Sequence, residues 1–214
     1  LPMTLSTIGM AQLVQHEISS ESYYQAKLAH PTWPGGESGV TIGIGYDLGY
    51  CSVEQFERDW QTLLTPANLT RLTAVCGIKA SAAKAAVSVL GDITIPLAAA
   101  KQVFTQVSLP LYAKKTQQLY PGIEQLAADA QTALVSLVYN RGASIKGETR
   151  REMAAIQPLV LQQNYAAIAA KIISMKRLWL DKGLDGLLKR RDDEAKLVAQ
   201  AERNYRADEL VNIG

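Results

Sequence analysis

Glu37-Ser-Gly-Val-Thr-Ile-Gly-Ile-Gly-Tyr-Asp-Leu-Gly49 is the stretch that decides how the rest of the chain is read. At the two-residue period of a strand its side chains separate onto two faces. Val40, Ile42, Ile44 and Tyr46 form a β-branched and aromatic set that calls for a core. Gly39, Thr41, Gly43 and Gly45 fall on the other side, so Thr41 is the one side chain on a face otherwise reduced to backbone. Glycine inside a strand costs stability and marks a tight bend or the close approach of another backbone. An extended run carried to both ends puts Glu37 and Asp47 on that same face, where two carboxylates and a hydroxyl frame a glycine floor. The plainer alternative is a tight hairpin with solvated acidic ends. A phosphate loop fits poorly, because Leu48 stands where G-x-G-x-x-G needs its third glycine and no Gly-Lys-Ser/Thr follows.

Upstream, residues 7–18 read as a helix in which Met10, Leu13, Val14 and Glu17 fall at i, i+3, i+4 and i+7. An acid thus interrupts an apolar stripe. Burial disfavours the charged form of a carboxylate and suits it to hold a proton, as a general acid must. The competing reading has Glu17 at the helix end, reaching into water. Ser19, Ser20, Glu21 and Ser22 break the period and restart a short helix that carries Tyr23 and Tyr24. His30-Pro-Thr-Trp-Pro-Gly-Gly36 is a loop by its prolines and glycines, with Trp33 as a loop anchor or a sugar-stacking lid.

Downstream the pattern is helical throughout. Ser52-Val-Glu-Gln55 is a capping box that opens a helix through Leu64, with Phe56 and Trp60 one turn apart. Pro66 opens a second helix that ends near Cys76-Gly77, and an alanine-rich helix follows over about 79–90. Thr94-Ile-Pro96 starts a long helix, bent at Pro110 and stopped before Pro121-Gly122. Residues 126–141 carry Ala130, Ala133, Leu134, Leu137, Val138 and Arg141 along one stripe, the pattern of a central buried helix closed by Gly142. Helices near 148–156, 160–174 and 186–206 complete the chain. The pattern predicts an α+β domain that is predominantly helical, with one small hairpin close to the N-terminus.

At 214 residues, 48% hydrophobic and 20% charged, the sequence suits one globular domain with a substantial core. A net charge of +2 is too small to argue for nucleic acid and is compatible with an anionic polymer or cell envelope. No apolar run reaches the length of a membrane span, and the N-terminus lacks the pattern of a signal peptide. The opening Leu1-Pro-Met3 fits a domain excised from a longer protein. Cys51 and Cys76 make no C-x-x-C, which argues against metal or redox chemistry and leaves a single disulfide undetermined. His16 and His30 are too few to build a metal site without several carboxylates, so neither a metal nor a cofactor is expected.

A helix ending in Glu17, followed by Thr41-Ile-Gly-Ile-Gly45 and then helices, resembles the opening of the phage-type lysozymes. Ala133-Leu-Val-Ser-Leu-Val-Tyr-Asn-Arg-Gly142 resembles that family's central-helix signature. Trp179, Gly183 and Gly186-Leu-Leu-Lys-Arg-Arg-Asp-Asp-Glu194 are similar to its C-terminal tryptophan and Gly-Leu-x-x-Arg-Arg segment. The forms Trp33-Pro-Gly-Gly36 and Gly45-Tyr-Asp-Leu-Gly49 look like a divergent branch, members of which also occur as domains of delivered antibacterial toxins.

The resemblance implies a lysozyme-like fold, with a hairpin lobe over about 17–50 and a helical lobe over about 52–207. It also implies hydrolysis of the β-1,4 bond between N-acetylmuramic acid and N-acetylglucosamine. Glu17 then matches the general acid and Thr41 the threonine that holds the attacking water. Where the usual enzymes carry an aspartate between the two, this chain has Ala26, Lys27 and Gly35. The second carboxylate therefore has to come from Asp47 or Glu37, with Asp47 slightly preferred. Ser38, Tyr46, Asn140 and Arg141 are the candidate substrate contacts, although Tyr46 also reads as core. Arg141, and Arg190 or Arg191, are candidates for pairing with a catalytic carboxylate or binding the peptide stem, with structural ion pairs equally open for each. The implied partner is the peptidoglycan glycan strand in the bacterial periplasm, reached through a holin, a secretion machine or a larger parent protein. A monomer is expected, with an immunity protein if the domain is a toxin. Two other readings stay open: a one-glutamate lytic transglycosylase, and a catalytically dead domain that binds the wall.

Overall fold

The computed structural model describes residues 1–214. In chain order its elements are β1 (Met3–Ser6), α1 (Thr7–Ile18), α2 (Glu21–Tyr23), β2 (Thr41–Ile42), β3 (Tyr46–Asp47), α3 (Val53–Trp60), α4 (Pro66–Thr73) and α5 (Ala80–Val87). Then come α6 (Leu97–Val103), α7 (Leu109–Leu119), α8 (Ala128–Arg141), α9 (Arg151–Leu161), α10 (Tyr165–Ser174), α11 (Asp185–Ala199) and β4 (Leu210–Ile213). The protein is predominantly helical, with two small two-stranded sheets. No helix is long and apolar enough to cross a membrane.

The local signals account for the helix ends. Ser52 Oγ accepts from the Gln55 amide at 3.1 Å, and Thr65 Oγ1 caps α4 from just before Pro66 by accepting from Asn68 at 3.2 Å. Gly142 closes α8 with φ of +80° and donates to the Val138 carbonyl at 2.7 Å. Near Pro110, where a bend is expected, the structure has a change of helix type. Residues Phe104–Ser108 make a turn of π-helix between α6 and α7, which lets the chain stay helical from Leu97 to Leu119 although Pro110 has no amide to donate.

The residues fall into two compact units. One comprises Leu1–His16 with Pro110–Gly214, and the other is the continuous segment Glu17–Leu109. The second unit thus starts at Glu17 and runs well past residue 50, taking in α3 to α6.

The discontinuous unit is built around α8. Every side chain from Ala128 to Val138 is buried, including Asp129, Gln131, Thr132 and Ser136. Those polar groups are satisfied locally. Thr132 Oγ1 accepts from the Ser6 amide at 2.9 Å, Gln131 Oε1 accepts from Thr4 at 2.9 Å, and Asp129 pairs with Arg203 at 2.8 Å. Gly9 of α1 lies so close to Thr132 that a Cβ there would sit 2.6 Å from Thr132 Cγ2. The sheet of β1 and β4 was missed in the sequence. Met3 pairs with Ile213 and Ser6 with Leu210, antiparallel, and strands this short at opposite ends of a chain leave no local signal of their pairing.

The continuous unit packs its core beneath the hairpin. Phe56 and Trp60 of α3 are fully buried, and Tyr46 meets Trp60 edge-on, ring centroids 5.5 Å apart. Tyr24 is buried and donates to the Ile95 carbonyl at 2.8 Å, and desolvation pushes its phenol up to about 12.

Candidate active site

The central stretch is a hairpin and not one extended run. Thr41 pairs with Asp47 and Ile42 with Tyr46, and the chain reverses through Gly43-Ile44-Gly45, where both glycines hold positive φ, +58° and +67°. The parity that aligned Glu37 with Asp47 is therefore void. Glu37 lies in a separate turn closed by Ser38 N–H donating to the Gly35 carbonyl at 3.1 Å, and its side chain is exposed. Asp47 still shares a face with Thr41, because cross-strand partners point the same way.

There is no glycine floor either. Gly43 is buried against the core, where a Cβ would come within 3.1 Å of the Trp60 ring and 3.2 Å of Ala100 Cβ. Gly39 and Gly49 are the places where two backbones nearly touch. A Cβ on Gly39 would run into the amide N and Cα of Gly49 and reach 2.5 Å from Asp47 Oδ1. The glycines of this stretch serve a turn and a close approach.

Gly39 is the hub of the arrangement. Its N–H donates to Asp47 Oδ1 at 3.0 Å and Oδ2 at 3.2 Å, and its carbonyl accepts from the Thr41 hydroxyl at 3.2 Å. Asp47 Oδ1 also accepts from the Gly49 N–H at 2.8 Å, which starts a 3-10 turn over Leu48–Tyr50. One carboxylate thus ties two backbone segments together. Thr41 is held further by a two-way exchange with Thr32, N–H to O at 2.8 and 2.9 Å. With its proton directed at Gly39, the Thr41 hydroxyl presents lone pairs to its half-exposed side.

The other candidates in this unit take structural places. Tyr46 is buried and donates to Asp59 Oδ2 at 2.6 Å, so it is core and not a cleft wall. The Ser38 carbonyl accepts from Trp33 Nε1 at 3.0 Å and from the Ala80 amide at 2.9 Å, which makes Trp33 a loop anchor. Cys51 and Cys76 are free thiols, both pushed up by desolvation, Cys76 to about 11. Glu17 occupies the last turn of α1, half-buried, one residue before the fully buried Ile18.

In the discontinuous unit, Asn140 Oδ1 accepts from Arg191 Nη1 at 3.0 Å. Arg191 is fully buried and grips Glu194 with two nitrogens, at 2.6 and 3.0 Å, while Arg190 reaches Glu194 at 3.4 Å and the Ser136 carbonyl at 3.1 Å. Glu194 also accepts from Ser136 Oγ at 2.6 Å. Structural ion pairs, one of the readings open for Arg190 and Arg191, are what the structure shows; their partner Glu194 is not named by the sequence, because its spacing puts it on the same helix without showing that it faces inward. Arg141, at the end of α8, lies over the Trp179 ring at 5.2 Å, with Arg191 at 5.6 Å from the same ring. The Tyr139 ring packs on Tyr112, centroids 4.5 Å apart.

A family model described as Domain of unknown function (DUF8812) matches residues 14–191. The chain belongs to that family. The DUF8812 span opens within α1 three residues before Glu17 and closes at Arg191, so the hairpin, α8 and Trp179 lie inside it while β1, β4 and Glu194 lie outside. No curated protein matches the chain.

Proposed function

We propose that this DUF8812 protein has a lysozyme-like fold and is a muramidase that hydrolyses the β-1,4 bond between N-acetylmuramic acid and N-acetylglucosamine. The observation that supports it most is the hairpin: Thr41 faces Asp47 in register, its hydroxyl proton tied to Gly39 and its oxygen left to accept. A water that donates to Thr41 Oγ1 turns a lone pair away from the protein, as an attacking nucleophile must. Glu17, in the last turn of an otherwise apolar stripe, supplies the proton to the departing glycosidic oxygen. Asp47 is the second carboxylate of this scheme and takes the proton from water through Oδ2, which carries the longer of its contacts. Glu37, exposed in its turn, is the alternative base. The substrate places the reaction in the bacterial periplasm, and an immunity protein accompanies it if the domain is a delivered toxin.

A second reading draws on the same hydrogen bonds. Asp47 is tied to two backbone amides, which suits a purely structural carboxylate and leaves Glu17 to act alone as a lytic transglycosylase. Product ends separate the two: ordinary reducing sugars from a hydrolase, 1,6-anhydro ends from a transglycosylase. The central test is Glu17→Gln. It should abolish clearing of outer-membrane-stripped Gram-negative cells, measured by turbidity with EDTA present, while the protein keeps its circular-dichroism spectrum. Full clearing by Glu17→Gln removes the assignment.

A further inference from the structure

Asp193 and Lys196 of α11 stand three residues apart, the spacing at which opposite charges on a helix ordinarily meet, and they do not pair with each other. Asp193 uses one oxygen only. Its Oδ2 accepts from His16 Nε2 at 2.9 Å and from Lys189 Nζ at 2.7 Å, while Oδ1 takes no hydrogen bond. The Lys196 ammonium is exposed and has neither a carboxylate nor a hydrogen-bond acceptor of the chain beside it. Both residues line a pocket of about 310 Å³ that lies wholly within the discontinuous unit, flanked by α1 and α11. Two further charges border it, but Asp129, 3% exposed, and Arg203 neutralise each other at 2.8 Å. Ile8, 52% exposed, and Leu197 give the pocket an apolar side. Gln12 and Gln200 line it as well, and their carboxamides make no hydrogen bond within the chain. What the pocket leaves unanswered is one carboxylate oxygen, one ammonium, two amides and an apolar wall.

We infer that this pocket binds a free α-amino acid with an aliphatic side chain. The ligand's ammonium lies on Asp193 Oδ1, its carboxylate on Lys196, and its side chain against Ile8 and Leu197. The inference goes beyond the muramidase reading and does not depend on it. An amino acid carries both charges on one carbon, so a single small molecule closes the gap between two residues that do not reach each other. A neutral sugar would leave both charges without a counter-charge, and a simple anion or cation would answer only one of them. Each glutamine carboxamide can donate to the ligand's carboxylate or accept from its ammonium. The volume is at the small end for ligand sites, which suits a metabolite of this size and not a polymer.

The two histidines of the chain report on the site separately. His16 is bonded to the same carboxylate that is assigned to the ligand, whereas His30 lies in the continuous unit with its Nδ1 on the Ile93 carbonyl at 2.8 Å. The whole chain should be titrated with L-leucine while the imidazole resonances are followed by NMR, with calorimetry for the affinity. The His16 resonances should move and saturate, and those of His30 should stay. Isoamylamine, which is leucine without its carboxylate, and isocaproate, which is leucine without its amine, should each bind about tenfold or more weakly, the loss expected for one charge-assisted hydrogen bond. Lys196→Met removes the ammonium from an exposed side chain, so the variant should fold, with the thermal midpoint as the check. It should weaken leucine by a similar factor and leave isoamylamine unaffected. A still His16 in near-saturated leucine overturns the proposal. So does an affinity for either analogue equal to that for leucine, or wild-type leucine affinity in Lys196→Met. Tighter binding of N-acetylglucosamine than of leucine overturns it too, by making the pocket a sugar site. Wall clearing is read in a separate assay, so the chain can lose the muramidase and keep the pocket, or the reverse.

Discussion

The Gly39 hub and the Glu194 cluster solve the same problem with opposite materials. At Gly39 the binding partners are mostly peptide groups, one carboxylate and one hydroxyl close the structure, and no opposite charge takes part. At Glu194 two arginines and a carboxylate are buried together, with Arg191 and Glu194 each at 0% exposure. The first depends on there being no side chain at two positions, and the second on every charge being matched. A fault in the hub is therefore steric and local, and a fault in the cluster is electrostatic and severe, because removing one member strands the others in a low-dielectric interior.

The largest effect should follow from Glu194→Ala, which leaves Arg191 buried without its carboxylate. A loss of about 3–5 kcal/mol is expected in denaturant unfolding. A loss below ~1 kcal/mol would mean that the cluster is better hydrated than its burial indicates, and the contrast with the hub would disappear.

Gly39→Ala comes next. Its Cβ meets backbone at Gly49, which cannot swing aside as a side chain would, so about 1–3 kcal/mol should be lost. Turnover should fall with it, because Thr41 is anchored to the displaced carbonyl. Wild-type stability in this variant would show that the two backbones part easily.

Asp47→Asn sharpens the comparison by separating structure from chemistry. The amide oxygen can still accept from Gly39 and Gly49, so only the charge assistance is lost and about 0.5–1.5 kcal/mol should go with it. A rate loss of about 10²–10⁴-fold on this nearly intact scaffold would identify the base. A near-normal rate would leave Asp47 as a clamp, and anhydro product ends would then complete the case for the one-glutamate mechanism.

The smallest effect is one of pH. His16 Nε2 donates to Asp193 Oδ2 at 2.9 Å, a geometry that looks like an ion pair, yet burial and then Arg190 bring the imidazole below its ordinary value of 6.5 in spite of Asp193. The neutral form is favoured in the native state and the unfolded chain binds the proton more readily. Stability should therefore fall as pH drops through about 6.5, and the fall should be shallower in His16→Gln than in wild type. Parallel midpoint curves for the two would remove His16 from the acid response.

Much of the helical framework was legible because its signals are local. Ser52, Thr65 with Pro66, and Gly142 each act within one turn of where they stand, and the stripe of α8 repeats at the helix period. The predominantly helical α+β class followed from these. What could not be read was anything that depends on a partner far along the chain. Strand parity is a sound rule inside a strand, but it was carried across Gly43 and Gly45, where the chain reverses. Both reasons the sequence offers for these glycines, a tight bend and a close backbone approach, hold in the structure; only the open floor, which rested on parity, does not. Asp47 was singled out for chemistry; its bond to Gly49 is a local turn cap two residues on, whereas its bond to Gly39 emerges only once the two backbone segments lie together.

The pairing of β1 with β4 has a consequence for the order of events in folding. Thr4 Oγ1 donates to Asn212 Oδ1 across 208 residues of sequence, so this ladder closes the longest loop the chain contains. The entropy of that closure must be met before the contact returns anything. The segment Glu17–Leu109 is one continuous stretch, so the contacts within it close shorter loops. On a ribosome it can collapse as soon as it emerges, while the first sixteen residues wait for the last helix and strand to be made. The Gly39 hub should then mature early, and the arginine cluster late. A pulse of hydrogen exchange during refolding would find the amides of Gly39 and Gly49 protected before those of β1 and β4.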